Sequence, residues 1–498
     1  MPSFDCNKMN WIDLHTRLAG AGLLTNPATP APEVIVTGVC QDSRKVQPGY
    51  VFTAIQGMQE HGKFYIQHAL DAGAGVILSE EALDGISSLV QVSNARKASA
   101  VIASAFYKDP AASLQLTGVT GTNGKTTTGT LVHHVLESTG TATGLIGTIT
   151  CTTGKAQYIS RLTTPDATEL HPMLAEMVDS GCKACVIEVS SHALDQYRTA
   201  TLNFSVGIFT NLMHDHLDYH KTMEHYLESK KRLFDGLEPQ AVAVYNQDDQ
   251  AGKCMVRHTR AAHCSFGQHT DADIRFSIVE DRPGGLRLRL DGRTSMFRLA
   301  GTFNAYNLAA AYGAARATGL PGADVIDALS EARPISGRFE QYICNDRTRI
   351  IIDYAHTPDA LEQVLQSLTH SSRGAARLWC IFGCGGNRDQ AKRPIMGAIA
   401  ENLADEVIIT SDNPRNEPAR AIANAILSGM EDPERAHLIP SRSEAVQHVA
   451  ETCNAGDIVL LAGKGHESVQ VKNETWMIMK DQDLILKAFA SLNPKLLQ

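Results

Sequence analysis

Apolar residues occur along this chain in short β-branched runs, most of which end at a glycine- or acid-bearing turn ahead of a stretch with helical spacing. The first runs are "EVIVTGV" (33–39) and "GVILSE" (75–80), with the helix-like "FYIQHALDAGA" (64–74) leading into the second. They predict a small α/β unit in the first ~110 residues. From "LQLTGVTG" (114–121) the alternation becomes regular. The helix "KTTTGTLVHHVLEST" follows, then "TGLIGT" (143–148), a helix near 167–180, "ACVIEVSS" (184–191) and "VGIFTNL" (206–212). Strands alternating with helices imply a parallel sheet with right-handed crossovers. "IRFSIVEDRPGGLRLRLDGRTSMFRL" (274–299) breaks the rhythm and predicts an antiparallel excursion turning at "RPGG". Two helices are expected from about 304 to 332.

"ARPISGRFE" (332–340), punctuated by Pro334 and Gly337, reads as a hinge. Beyond it "RIIIDYAH" (349–356), "RLWCIFGCGG" (377–386), "EVIITSD" (406–412) and "DIVLLAGKGHE" (457–467) alternate with helical stretches, predicting a second parallel, doubly wound sheet. Ligands of such sheets sit beyond the carboxyl ends of the strands. The most unusual segments of this half, "DYAHTPDA", "GCGGNRD", "SDNPRNE" and "AGKGHE", lie at those ends.

Composition narrows the class. At 498 residues the chain has room for about three domains. With 43% hydrophobic and 20% charged residues it is globular rather than disordered. A formal net charge of -9 argues against a general nucleic-acid binder but allows a local basic pocket for anionic metabolites. The opening segment has no basic stretch followed by an apolar run, and no run reaches the ~18–20 apolar residues of a membrane span. A cytoplasmic location is expected. The eleven cysteines are scattered, which suits a reducing compartment. Cys182 and Cys185 have CxxC spacing, but they lead into a buried-looking strand with no second pair nearby, and packing is the expected role.

The strongest chemical signal is "TGVTGTNGKTTTGT" (117–130), a strand, a glycine turn and a helix opening at Lys125-Thr126. Backbone N–H groups at a helix N-terminus can surround phosphate oxygens, a lysine neutralises their charge, and a hydroxyl ligates magnesium. The first glycine of the usual loop is replaced by Val119, with Gly121 two positions later. A second cluster combines Glu188 at a strand end with "HDHLDYH" (214–220), suited to a nucleotide–metal site. Taken alone, Lys230 and Lys231 in "YLESKKRLF" read as a solvated helical face. Asn304 reads as an N-cap of its alanine-rich helix. Arg338 sits in the hinge, where closure could carry it onto phosphate.

In order, "GTNGKTT", "EVSSHAL", "TNL…DHLDYH", "GTFNAYN", "SGRFE", "DYAHTPDAL", "FGCGGNRDQAKRP", "DNPR" and "AGKGHE" resemble the motifs of the Mur ligase family, and with "QDSR" (41–44) the likeness spans nearly the whole chain. It is nearest to the family's diaminopimelate-adding branch. The resemblance implies an α/β fold of three domains: a UDP-binding domain (1–112), a central P-loop ATPase domain with a mostly parallel sheet (113–336) and a Rossmann-like amino-acid-binding domain (337–498). It implies an ATP-dependent amide-forming ligase of peptidoglycan synthesis, expected to be monomeric. ATP would phosphorylate the D-glutamate γ-carboxylate of UDP-N-acetylmuramoyl-L-alanyl-D-glutamate, and the amine of meso-2,6-diaminopimelate would attack the acyl phosphate.

By the same resemblance Gly121, Thr122, Asn123, Gly124, Lys125, Thr126 and Thr127 hold ATP phosphates, and Asn304, Arg338 and Asp353 complete the ATP contacts. Magnesium falls to Thr126, Glu188, His216 and Lys230, the last as a CO2-derived carbamate (N6-carboxylysine). That supersedes the solvated reading of Lys230. Lys125, Glu188, His216 and Lys230 are thus the catalytic set. Ser43, Thr163, Thr164, Ser190, Gln196 and Arg198 correspond to contacts of the UDP-muramoyl dipeptide; Leu162 stands where some relatives carry asparagine. Arg388, Asp412, Asn413, Pro414, Arg415, Gly463 and Glu467 form the amino-acid pocket. A guanidinium grips a carboxylate bidentately, and lysine-adding relatives typically lack the "DNPR" arginine, so diaminopimelate is expected over lysine. The rival readings are a lysine-adding homologue, a folylpolyglutamate-synthetase-like ligase and, in a different class, a P-loop protein that uses ATP only to switch conformation.

Overall fold

The computed structural model describes residues 8–26, 33–57, 60–371, 376–473 and 475–497. Residues 1–7, the start of the segment read for a secretory signal, lie outside them. Three main sheets follow one another along the chain.

The first has four parallel strands in the order Gly38–Cys40, Tyr50–Thr53, Val76–Ser79 and Leu89–Gln91. Its alternating side chains feed two cores. Val51, Val76 and Leu78 pack with Trp11, Ile102 and Phe106, whereas Phe52 and Ile77 pack with Ile66 and Ala69. The predicted run 33–39 is split into Ile35–Val36 and Gly38–Cys40, and the first piece pairs elsewhere, with Met9–Asn10.

The second sheet has eleven strands. Its parallel centre runs Thr143–Ile146, Ala184–Glu188, Gln115–Thr120, Phe204–Phe209, Val242–Asn246 and Ala262–Gly267. The phosphate-loop strand Gln115–Thr120 therefore lies between the strand ending in Glu188 and the strand leading to the histidine loop. The excursion Ile274–Arg282, Gly285–Leu290 and Arg293–Phe297 is antiparallel as predicted, with Arg282 opposite Gly285. Helices Lys125–Ser138 and Thr302–Ala317 cover one face, and Ala167–Asp179 and Met223–Asp235 the other. Cys182 and Cys185 are both buried in the latter core.

The third sheet has seven strands, with Ile458–Ala462 inserted between Leu378–Phe382 and Arg349–Asp353. The chain steps outward to Ala436–Leu438 before returning, which opens a crevice at the carboxyl ends of those central strands. Among the described residues, no helix is long and apolar enough to cross a membrane.

Candidate active site

The phosphate loop turns on two glycines that no side chain could replace. Gly121 and Gly124 have φ of 151° and 84°. A Cβ would fall 1.9 Å from Thr210 Oγ1 at the first and 2.3 Å from Asn307 Oδ1 at the second. Gly124 caps the helix Lys125–Ser138, so that helix's N-terminal N–H groups face the loop. Lys125 Nζ folds back to donate to the carbonyls of Gly121 and Thr122, at 2.9 and 2.8 Å. Burial lowers its pKa, and Glu188 and Asp215 oppose that shift.

Glu188, almost fully buried, ends the neighbouring strand and accepts three hydrogen bonds. Thr126 Oγ1 donates at 2.9 Å, Thr148 Oγ1 at 2.8 Å and the Thr148 N–H at 2.8 Å. Thr148 had no signal in the sequence, being an ordinary threonine after a strand. It links this carboxylate to the sugar-peptide candidates, because its hydroxyl oxygen lies 3.1 Å from Thr163 Oγ1 and can accept from that hydroxyl. Thr164 donates to the Glu188 carbonyl (2.7 Å) and accepts from the Ser190 N–H (3.0 Å). Arg198 reaches the Thr164 carbonyl and Gln196. Gln196 is also touched by Arg96 from the first sheet's helix, at 3.3 Å. Thr163, Thr164, Ser190, Gln196 and Arg198 thus form one network beside the phosphate loop. Ser43 stands apart, in the one-turn helix Ser43–Lys45 between two strands of the first sheet, 3.0 Å from His68 Nδ1, and Lys45 of the same turn donates to Glu169.

Both lysines of "SKK" are buried, so the solvated-face reading of that helix is wrong. Tyr226 and Lys230, one helical turn apart, share the inward face. Lys230 Nζ donates to the Gly121 carbonyl at 2.8 Å and lies 4.4 Å from the Tyr226 ring centroid. Lys231 pairs instead with Asp235. Burial, with Lys125 nearby, depresses the Lys230 pKa far below that of an ordinary lysine. Asn304 is not the N-cap either. Gly301 holds that position, and Asn304, inside the helix, donates to the Ala300 carbonyl and accepts from Asn307.

A cavity of about 210 Å³ joins these groups to the third sheet. The phosphate loop, Thr148, Thr163 and His216 line it from one side, and Arg338, Asp353 and His356 from the other. Arg338 Nη2 lies 3.3 Å from Thr126 Oγ1, and its guanidinium stacks 4.5 Å from the Tyr354 ring centroid. Arg338 Nε and Asn123 Nδ2 are buried donors without a partner among the described residues. Orphaned donors beside a glycine turn suit phosphate oxygens. Burial pushes Asp353 up to about 6, against the pull of Arg338. An adjoining cavity of about 550 Å³, lined by Asn246, Asp248, Phe303 and Tyr306, shares Asn123, Gly124 and Asn307 with the first. Nothing in the sequence pattern marked it.

No three His, Cys, Asp or Glu side chains among the described residues form a metal-holding group. The donor set at the loop is sparser: a threonine hydroxyl, the Glu188 carboxylate and, across the cavity lining, the His216 imidazole. Magnesium is commonly held by one or two carboxylates together with substrate phosphates, so these residues fit that ion.

The amino-acid candidates meet at the carboxyl ends of the third sheet. Arg415 has φ of 51°, a left-handed conformation that costs a non-glycine residue about 1–2 kcal/mol. Its backbone is held on both sides, its N–H donating to the Val471 carbonyl (3.0 Å) and its carbonyl accepting from the Asn473 N–H (2.9 Å). The side chain donates to the Gly386 carbonyl at 2.8 Å. Burial and the charge of Arg388 lower its pKa, and both arginine side chains border Gly385, whose Cβ would lie 2.9 Å from Arg415 Nη1 and 3.7 Å from Arg388 Cγ. Opposite them, Asn413 donates to Glu467 (2.7 Å), and the buried Lys464 donates to Glu467 (3.0 Å). Asp412 is buried and its pKa is raised by that burial. Gly463 admits no side chain, since a Cβ would lie 2.7 Å from Asp412 Oδ2. Two arginines, with Lys464 bonded to one of the two acids, around one crevice suit a zwitterionic amino acid with a further carboxylate.

Comparison with known proteins agrees with this geometry. The Mur ligase middle domain matches residues 119–315, and the Mur ligase glutamate ligase domain matches residues 337–465. The UDP-N-acetylmuramoyl-L-alanyl-D-glutamate–2,6-diaminopimelate ligase of Cytophaga hutchinsonii is 43% identical over 88% of this chain and 91% of its own length. The protein of the same name from Parabacteroides distasonis is 40% identical over 93% of this chain and 96% of its own. A solved structure of such a ligase superposes with a TM-score of 0.66 at 32% identity, covering 94% of this chain and 98% of that one.

Proposed function

The chain belongs to the Mur ligase family, and from that premise we propose that it is the ATP-dependent ligase joining meso-2,6-diaminopimelate to UDP-N-acetylmuramoyl-L-alanyl-D-glutamate in peptidoglycan synthesis. The observation that carries the reading is the common cavity. The phosphate loop, the Thr163 side of the sugar-peptide network and Arg338 all line one space, as phosphoryl transfer to a bound carboxylate requires.

In this reading Gly121 to Thr127 receive the ATP phosphates, with Asn304, Arg338 and Asp353 as further ATP contacts and the larger adjoining cavity taking the nucleoside. Ser43, Thr163, Thr164, Ser190, Gln196 and Arg198 hold the UDP-muramoyl dipeptide with its γ-carboxylate toward the loop. A carboxylate oxygen attacks the γ-phosphorus and ADP departs. Lys125 and Arg338 offset charge on the transferring oxygens. Arg388, Asp412, Asn413, Pro414, Arg415, Gly463 and Glu467 orient diaminopimelate, whose amine attacks the acyl carbon. The tetrahedral adduct expels phosphate, and the amine proton is lost as the amide forms. Thr126, Glu188 and His216, with Lys230 as its carbamate, would hold magnesium, which screens phosphate charge when bound.

The proposed division into domains at 112/113 and 336/337 is supported by the separate sheets. We propose a monomer acting in the cytoplasm. The test is ADP release with the dipeptide substrate, comparing diaminopimelate, lysine and no amino acid, with hydroxylamine added to trap the acyl phosphate. Hydroxamate formed with ATP and dipeptide, together with turnover selective for diaminopimelate, is the expected result. ATP hydrolysis without hydroxamate would favour an ATP-driven switch, and equal use of lysine would favour a lysine-adding enzyme.

A further inference from the structure

Arg415 adopts its left-handed backbone against a hairpin that the sequence did not mark. Strands Val469–Lys472 and Thr475–Ile478 form a separate two-stranded sheet, and the first of them holds the segment 411–415 through Gln470 and Val471. Gln470 Nε2 donates to the Asp412 carbonyl at 2.6 Å and approaches the Ser411 carbonyl at 3.4 Å. The Val471 N–H donates to Asn413 Oδ1 at 3.0 Å, and the Val471 carbonyl accepts from the Arg415 N–H at 3.0 Å. Gln470 is nearly fully buried, whereas Trp476 and Ile478 on the outer strand are 70% and 85% exposed. The inner strand therefore acts as a splint along the loop that presents Asp412, Asn413 and Arg415.

We infer that Gln470 is a positioning residue for amino-acid selection. By fixing the carbonyls of Ser411 and Asp412 it sets where the Arg415 guanidinium stands, and so the enzyme's preference for a substrate bearing a second carboxylate. This rests on the amino-acid pocket proposed above. A strained residue keeps its conformation only where its surroundings over-determine it, and Gln470 is the one side chain of the splint that bonds the loop's backbone directly.

The experiment compares wild type, Gln470→Glu, Gln470→Ala and Arg415→Ala in steady-state phosphate release, with diaminopimelate and lysine as acceptors. Gln470→Glu keeps the volume but cannot donate when ionised, and its charge faces two carbonyl oxygens. Its KM for diaminopimelate is expected to rise about tenfold, its preference over lysine to fall by a similar factor, and its KM for ATP to stay within twofold. Gln470→Ala gives the same pattern more weakly and serves should the glutamate variant not fold. A pure packing role predicts the reverse order, with alanine worse than glutamate and ATP affected equally; that result overturns the inference. If Arg415→Ala abolishes the preference while both Gln470 variants keep it, the inference fails alone. If Arg415→Ala leaves the preference intact, the pocket reading fails and the inference with it.

Discussion

Replacing Glu188 by glutamine separates a metal ligand from a structural acceptor. All three partners of this carboxylate donate to it: Thr126 Oγ1 and Thr148 Oγ1 to Oε2, and the Thr148 N–H to Oε1. In Glu188→Gln the amide oxygen can keep the backbone N–H, and the amide nitrogen then faces two hydroxyls that can rotate to accept. No donor is forced against a donor. The structural loss is therefore the charge-assisted part of these bonds, roughly 1–2 kcal/mol in total. The functional loss is larger if the carboxylate holds magnesium, since metal stabilisation of a transferring phosphoryl group is worth several kcal/mol. At about 1.4 kcal/mol per decade, kcat should fall roughly a hundredfold or more. The magnesium concentration for half-maximal rate should rise, while KM for diaminopimelate stays unchanged. The assay is phosphate release titrated with MgCl2 at saturating substrates, alongside thermal melting. A variant that melts lower but keeps the wild-type kcat and magnesium dependence would refute the reasoning and leave Glu188 a structural acceptor.

Lys230 is buried and its pKa is depressed by that burial, which favours the neutral amine that adds CO2. Activity should decline in CO2-depleted buffer and return with bicarbonate, whereas Lys230→Arg, which cannot form the carbamate, should be inactive in both. Bicarbonate-independent wild-type activity would contradict this. Asp353 titrates near 6 in the folded chain, above the ordinary carboxylate value of 3.8. The folded state thus holds the proton longer, and the associated stability is full below about pH 4 and lost as pH rises through about 6. Between pH 5 and 8 this amounts to roughly 1 kcal/mol. Denaturant unfolding should show wild type losing that much more than Asp353→Asn over the same interval; parallel pH profiles would count against it.

The three-sheet architecture was legible because parallel strands buried on both faces read as uninterrupted apolar runs, as Ile350 to Ile352 and Ile458 to Ala462 do. Val242–Asn246 and Ala262–Gly267 escaped notice. The first is a short run that mixes alanine with valine, although it opens into the acid-bearing turn Gln247 to Asp249, and the second begins with exposed residues and a histidine. Neighbouring lysines on one helix cannot be assigned inward or outward from spacing without knowing what the helix packs against; the resemblance singled out Lys230, and the burial of Lys231 beside it emerged only with the fold. Asn304 misled because a capping residue and a residue one turn into a helix look alike when the start is uncertain by a few positions. The loops at strand ends announced themselves by composition. Thr148, Arg96 and Gln470 did not, since their partners lie 40, 100 and 58 residues away.

The same distances explain how two chemical steps can share one site. In the proposed reading, acid activation would use the second sheet's phosphate loop and amine capture the crevice of the third. Arg338 and Asp353 belong to the part of the chain that builds the third sheet yet line the phosphate cavity, and Arg338 comes within 3.3 Å of Thr126. The Phe339 N–H donates to Asp353 Oδ2 at 2.6 Å, and the Gly463 N–H donates to the Asp353 carbonyl at 3.1 Å. A hydrogen-bonded path of two links therefore joins the segment bearing Arg338 to the glycine beside Asp412. His214 and Asp389 approach to 3.5 Å across the same boundary. In the proposed reading, phosphate drawn onto Arg338 would be tied to the placement of the amino-acid pocket, so the acyl phosphate would form where the attacking amine is already held.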